Sequence, residues 1–216
     1  MTILARADAM RLPLADESVH CVVTSPPHWS PAAFGYDGLG SEVSPLDYAL
    51  ALLPAMREVR RVLRDDGTIW LHLGRDKYLP GGSLAGCPWT VARALRDALG
   101  LLIRAEIVLR APAMPAADRP GDCREIVFLL AKSRVYRYDP VPIPDLWPSG
   151  GHRYGDFASL PERIVSPFIL AGCPPGGTVL DPFCGTGTVP RVAESLGRKG
   201  VGFDLSSDHF AVGLKP

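Results

Sequence analysis

The sequence predicts an α/β chain built on a mostly parallel sheet with helices on both faces. Two observations predict it: short apolar, β-branched runs alternate with stretches of helical periodicity, and glycine- and proline-rich segments punctuate the junctions between them. A third bounds the size. With 216 residues, 47% hydrophobic and 21% charged, the chain is long enough for one substantial core.

Taken in order, Thr2–Ala7 is a short apolar run ending near Asp8, and residues 13–17 read as a loop. Val19–Thr24 is a strand by its β-branched content, stopped by Pro26 and Pro27. A long loop follows to Ser44, of the kind that is usually functional or mobile. Asp47–Leu63 carries helical periodicity, and Asp65-Asp66-Gly67 reads as a turn before the strand Thr68–Leu73. Gly74–Cys87 is a glycine-rich loop and Pro88–Leu99 a helix with proline in its first turn. Leu101–Leu109 and Glu125–Ala131 are strands flanking the loop Arg110–Cys123, while Pro140–Gly155 carries no assignable pattern. Pro161–Leu170 is a helix, 174–177 a turn, Val179 and Leu180 a buried strand, Val189–Leu196 a helix and Gly200–Asp204 a last short strand.

Composition narrows the function classes. No apolar run reaches the ~20 residues that span a membrane, and the first residues lack the basic and apolar regions of a secretory leader. The 23 basic and 23 acidic residues balance, which neither supports nor excludes a nucleic-acid partner. Cys21, Cys87, Cys123, Cys173 and Cys184 are scattered without metal-type spacing, as thiols of a reducing cytoplasm would be, and no metal is expected.

Two stretches carry chemistry. In Val179–Thr188 an apolar run ends at Asp181, and Gly185 and Gly187 turn the chain into a helix whose first amides suit the polar end of a ligand. Asp204, at the end of the next strand, is placed to take ribose hydroxyls. Read alone, such a turn is more often a plain strand-to-helix junction than a cofactor site. In the second stretch, Ser25-Pro26-Pro27-His28-Trp29, two prolines remove two N–H donors and aim carbonyls beside a hydroxyl and flat rings. Such an acceptor-rich corner suits an exocyclic amine on a planar base; the plainer reading is a proline-terminated strand with an aromatic plug.

Together these stretches resemble the DNA amino-methyltransferases, which use S-adenosylmethionine to methylate N4 of cytosine or N6 of adenine. Residues 24–29, TSPPHW, resemble the family's catalytic S/D/N-P-P-Y/F/W region, and residues 181–188, DPFCGTGT, its cofactor loop. Residues 61–68, RVLRDDGT, and 125–133, EIVFLLAKS, match further motifs, as do Gly197-Arg198 and Gly202–Leu205. The catalytic motif precedes the cofactor motif, the circularly permuted order of the family's beta group.

The resemblance implies a Rossmann-like methyltransferase fold with a mostly parallel seven-stranded sheet. It implies one domain over 1–216 without a separate target-recognition domain, since only about thirty Pro- and Gly-rich residues stand where one is usual. It assigns Ser25, Pro26, Pro27 and His28 to catalysis. It assigns Asp8, Phe157, Ala158, Ser159, Asp181, Pro182, Phe183, Cys184, Gly185, Thr186, Gly187, Thr188, Asp204 and Leu205 to the cofactor, with Asp204 on the ribose and Asp8 near the adenine. Trp29, Arg75, Lys77 and Arg110, with Arg119 and Lys132, are candidates for contacts to DNA. The target base would be flipped out of the duplex. A homodimer and a cognate restriction endonuclease are compatible partners, and the expected compartment is the cytoplasm.

His28 departs from the family's usual aromatic residue, and Trp29 is the substitute stacking partner. Ser25 favours N4 of cytosine, because adenine members more often carry Asp or Asn there. N6 of adenine is the alternative, followed by a binding protein that has lost catalysis and by methylation of an RNA or protein amine. Arg57, Arg60, Arg61 and Arg64 share a helix face that reads as solvated in preference to phosphate-binding. His72, inside a strand, reads as a hydrogen-bonded core residue.

Overall fold

The computed structural model describes residues 1–30, 38–79, 82–110, 124–143, 146–148, 152–154 and 157–213; the side chains of 146–148, 152–154, 157–159 and 211–213 are not described. The strands of the main sheet are β1 (Thr2–Arg6), β2 (Val19–Thr24), β3 (Leu63–His72), β4 (Leu102–Arg110), β5 (Arg124–Ala131), β6 (Leu146–Pro148), β9 (Thr178–Asp181) and β10 (Lys199–Asp204). Across the sheet they are ordered β1-β10-β9-β2-β3-β5-β4-β6. β7 (His152–Tyr154) and β8 (Phe157–Ser159) form a separate antiparallel ribbon.

The first five strands across the sheet run parallel, β5 runs antiparallel to both β3 and β4, and β6 lies parallel to β4. The expected seven-stranded, mostly parallel sheet is therefore present, with the three-residue β6 as an eighth strand at its edge.

Period-2 alternation in the strands feeds two cores. Val22, Ile69, Leu71, Phe128, Leu130 and Leu180 pack with α1 (Pro45–Val62) and α2 (Cys87–Leu99) on one face. Cys21, Val23, Trp70, Val127, Leu129 and Val179 pack with α3 (Glu162–Gly172) and α4 (Thr188–Ser195) on the other. Trp70 stacks on Phe168 of α3 at 4.7 Å between ring centroids. A short helix, α5 (Asp208–Gly213), comes after β10 and has no counterpart in the sequence reading.

Local chemistry explains the boundaries. The Ser44 side chain caps α1 by accepting from the Asp47 amide, with Pro45 beginning the helix. The Asp76 carboxylate accepts from the Gly86 and Cys87 amides and so supplies α2 with a cap from ten residues away. Gly200 and Gly202 admit α4: a Cβ at Gly200 would lie 2.1 Å from the Pro190 carbonyl oxygen.

Two expectations need correction. Asp65-Asp66-Gly67 does not end an element, because β3 starts at Leu63 and runs through it. Pairing with β2 shifts between Val19↔Leu63 and Cys21↔Thr68, so the extra residues bulge outward within the strand. The arginine face is not merely solvated either. Arg61 donates to Glu58, Asp16 and the carbonyls of Leu12 and Leu14, and thereby fastens the segment between β1 and β2 to α1.

The connection β2-α1-β3 moves across the sheet one way and β9-α4-β10 the other. The carboxyl ends of β2 and β9 flank that reversal, the point where open α/β sheets bind ligands.

Candidate active site

Both informative stretches leave the sheet at this point. β2 and β9 pair directly, Cys21 with Val179 and Val22 with Leu180, and their ends are tied by a buried hydrogen bond from Thr24 Oγ1 to Asp181 Oδ1, 2.7 Å. Asp181 Oδ1 also accepts from the Phe183 amide at 3.1 Å. Burial pushes the Asp181 carboxyl up to about 7 against these two bonds, and the nearby Asp204 adds to the rise.

Backbone hydrogen bonds and two left-handed glycines shape the turn after β9. Gly187, at φ +80°, is the left-handed cap of α4, and a side chain added at Gly185 would meet open space. The turn uses most of its own amides: Phe183 donates to Asp181, Cys184 to the Phe203 carbonyl, Gly185 to Asp204 Oδ2 and Gly187 to the Cys184 carbonyl. Among residues 183–187 this leaves Thr186, whose amide has no partner among the described residues and whose buried hydroxyl is also unsatisfied. The expected backbone grip thus narrows to Thr186 and the start of α4.

Asp204 accepts from Gly185 through Oδ2, and from the Ser206 amide and His209 Nδ1 through Oδ1. A carboxylate offers about four acceptor sites, so one on Oδ2 is left among the described residues. Asp8 lies in the turn after β1, which pairs Arg6 with Asp204, and its Oδ1 accepts from the Met10 amide. Leu205 is exposed at the same strand end. Phe157–Ser159 forms the ribbon strand β8, hydrogen-bonded to no strand of the main sheet among the described residues.

Across from this turn, Ser25 sits at the centre of a polar network. Its Oγ lies 3.0 Å from His28 Nε2 and 2.9 Å from His72 Nδ1, and His72 Nε2 lies 3.2 Å from Glu125 Oε2. The two imidazoles meet edge to face at 5.0 Å between centroids. Arg75 Nε stands 3.9 Å from Glu125 Oε1. Burial, followed by the charge of His72, lowers the His28 pKa to about 3, so this ring is neutral. The hydrogen bond from His72 holds Glu125 below the usual carboxylate range. Gly74, at φ +67°, makes room for the His28 ring, since a Cβ there would lie 2.4 Å from Nδ1.

Three hydrogen bonds clamp the proline corner and the chain just beyond it. Tyr48 Oη donates to the Pro27 carbonyl, the Trp29 indole N–H to the Glu42 carbonyl, and the Ser30 amide to the Gly40 carbonyl. No donor among the described residues takes the Pro26 carbonyl. Ser25 Oγ and the Pro26 carbonyl oxygen both follow directly on the end of β2, where that strand pairs with β9.

Two assignments change. Trp29 is only 3% exposed and belongs to the core under α1 and α2, so it offers no free ring to a base. Lys132 follows the antiparallel β5 and so emerges at the opposite end of the sheet, bound to the Leu63 carbonyl and Asp65. His72 is the buried, hydrogen-bonded strand residue expected, and its two partners are Ser25 and Glu125. Arg75, Lys77 and Arg110 do fall on the site's side of the sheet; Arg119 lies outside the described residues. Among the described residues no His, Cys, Asp and Glu cluster could hold a metal ion, and no helix is long and apolar enough to cross a membrane.

Comparison with known proteins gives consistent matches. A family model described as "DNA methylase" matches residues 19–214. The Type II methyltransferase M.Cfr9I of Citrobacter freundii is 34% identical over 246 residues, covering 93% of this chain and 82% of that protein. M.SmaI of Serratia marcescens is 34% identical over 244 residues, covering 91% and 83%. Among solved structures, the cytosine-N4-specific PvuII DNA methyltransferase superposes with a TM-score of 0.81 over 97% of this chain and 84% of its own, at 20% identity. A complex of M1.HpyAVI with S-adenosylmethionine superposes at 0.70 over 99% and 97%, at 17% identity. These two likenesses establish the fold.

Proposed function

The chain belongs to the N6/N4 DNA methylase family, and on that premise we propose that it moves a methyl group from S-adenosylmethionine to N4 of cytosine in DNA. The observation that carries the reading is the pair of acceptors, Ser25 Oγ and the Pro26 carbonyl, standing at the end of β2 beside the glycine turn that ends β9. S-adenosylmethionine, when bound, supplies an electrophilic sulfonium methyl. Asp204 would hold a ribose hydroxyl through its remaining acceptor, Asp8 would lie toward the adenine, and Thr186 with the first turn of α4 would hold the amino-acid end.

The target amine is a weak nucleophile because its lone pair is delocalised into the ring. Two acceptors draw its N–H bonds out of the ring plane, which localises the lone pair and aims it at the methyl. Oriented acceptors of this kind, fixed before reaction, stabilise the charge that grows on nitrogen. Ser25 in place of an acidic or amide residue favours cytosine over adenine. His28 borders this corner through its bond to Ser25.

The reading treats 1–216 as one catalytic domain that reads DNA through the loops around the site, with Arg75, Lys77 and Arg110 toward the backbone. The relatives are named Type II methyltransferases, and the reading extends to a cognate restriction endonuclease at the same DNA site. Mass spectrometry of nucleosides from DNA treated with the protein and labelled cofactor tests it. N4-methylcytosine is the expected product, and N6-methyladenine as the sole product refutes the choice of base.

A further inference from the structure

We propose that His72, oriented by Glu125, accepts through Ser25 the proton that the target amine sheds on methylation. The inference rests on reading the site as an exocyclic-amine methyltransferase and holds for either base. Attack forms an N–C bond as the S–C bond breaks, which leaves the amine cationic, and one N–H bond must then break. The structure holds a path for that proton, and the hydrogen-bond pattern fixes its direction.

Glu125 is acceptor-only when ionised, so His72 presents Nε2–H to it and keeps Nδ1 as an acceptor. Ser25, with a single proton, donates it to His72 Nδ1. His28 must therefore donate Nε2–H to Ser25 Oγ, because that oxygen has no second proton to give. Its lowered pKa keeps His28 neutral in this role, so it does not compete for the proton. One lone pair on Ser25 remains for the amine. As the amine passes its proton to Ser25 Oγ, the Ser25 proton passes to His72 Nδ1. The result is a neutral methylated amine, an intact serine and an imidazolium facing the Glu125 carboxylate.

The same arrangement bears on methyl transfer itself. With His72 neutral, donation from Ser25 enriches its oxygen as an acceptor for the amine. With His72 protonated, Ser25 accepts from both imidazoles and turns its own O–H outward, so the acceptor is lost. Among the described residues, the polar and charged groups facing His72 are Ser25 and His28 beyond β2, Glu125 on β5 and Arg75 after β3, with Lys77 acting on His28.

The test is single-turnover transfer of labelled methyl to DNA between about pH 5 and 9 for wild type, His72→Gln and Glu125→Gln, with cofactor affinity by calorimetry. Wild type should show an acid limb. H72Q should bind cofactor normally, lose roughly 10²-fold in rate and lose the limb, since an amide cannot take the proton. E125Q should bind cofactor normally and also lose most of the rate, because Gln can donate to Nε2 and so no longer fixes Nδ1 as the acceptor; this arm decides if H72Q fails to fold. An H72Q enzyme as fast as wild type, or slowed with the same limb, overturns the relay while leaving the methyltransferase reading standing. A wild type that binds cofactor but labels no DNA base defeats that reading and the relay with it.

Discussion

Replacing Asp181 with Asn should remove a pH-dependent penalty that the fold carries at neutral pH. Asp181 ends β9 at 5% exposure, and burial raises its carboxyl to about 7 despite the bonds from Thr24 and the Phe183 amide. Between about pH 4 and 7 the native chain thus holds more protons than the unfolded one. Its contribution to stability is complete below about pH 4, falls as pH rises through about 7 and is level above that. A rise of about three pH units, at about 1.4 kcal/mol each, sets a ceiling of about 4 kcal/mol. Both accepted hydrogen bonds fall on Oδ1. Asn keeps them with its amide oxygen and places NH₂ where the protonated acid carries its hydroxyl. Urea unfolding at about pH 4.5 and pH 8 measures the difference. D181N should match wild type in acid and exceed it by about 2–4 kcal/mol at the higher pH. Parallel pH dependence in the two proteins would refute the reasoning.

Other substitutions probe separate parts of the site. Asp204→Ala should weaken cofactor binding by about 1.5–3 kcal/mol, the worth of a charge-assisted hydrogen bond; equal calorimetric affinities would sink the ribose assignment. Gly74→Ala places a Cβ against His28 in left-handed backbone, and should cost about 2–4 kcal/mol in urea unfolding and slow turnover; an equally stable, equally fast variant would show that the ring does not need that space. Arg61→Lys loses the fork that grips Glu58, Asp16 and two carbonyls. It should lower stability by about 1–2 kcal/mol and leave the salt dependence of DNA binding unchanged, whereas a shallower salt slope would make Arg61 a phosphate contact.

Much of the fold was legible from the residues. Val19–Thr24 is bounded as its β-branched run and the prolines after it require, and α2 begins within a residue of the expected Pro88. The glycine turn was legible as one unit because its glycines and two acids are close in sequence. What stayed hidden depends on residues far apart. His72 meets Ser25 from 47 positions away and Glu125 from 53, and nothing beside it in the chain marks it as more than a strand residue. Glu125 stood in a matched motif, and an acid opening a strand at the active edge was the one available signal. Trp29 misled because an aromatic after a proline corner reads equally as a stacking ring or a plug, and only packing under α1 and α2 decides. The Asp65–Gly67 turn failed because pairing with β2 carries the strand past residues that favour turns by themselves.

The central claim is that Ser25 and Pro26 orient an exocyclic amine beside the cofactor turn. Ser25→Ala tests it most directly, with methyl transfer to DNA in single turnover measured alongside cofactor affinity on the same preparations. Affinity should be unchanged and transfer should fall roughly 10²-fold or more, as removal of one oriented transition-state partner gives. Transfer at the wild-type rate by a variant that binds cofactor normally would contradict it.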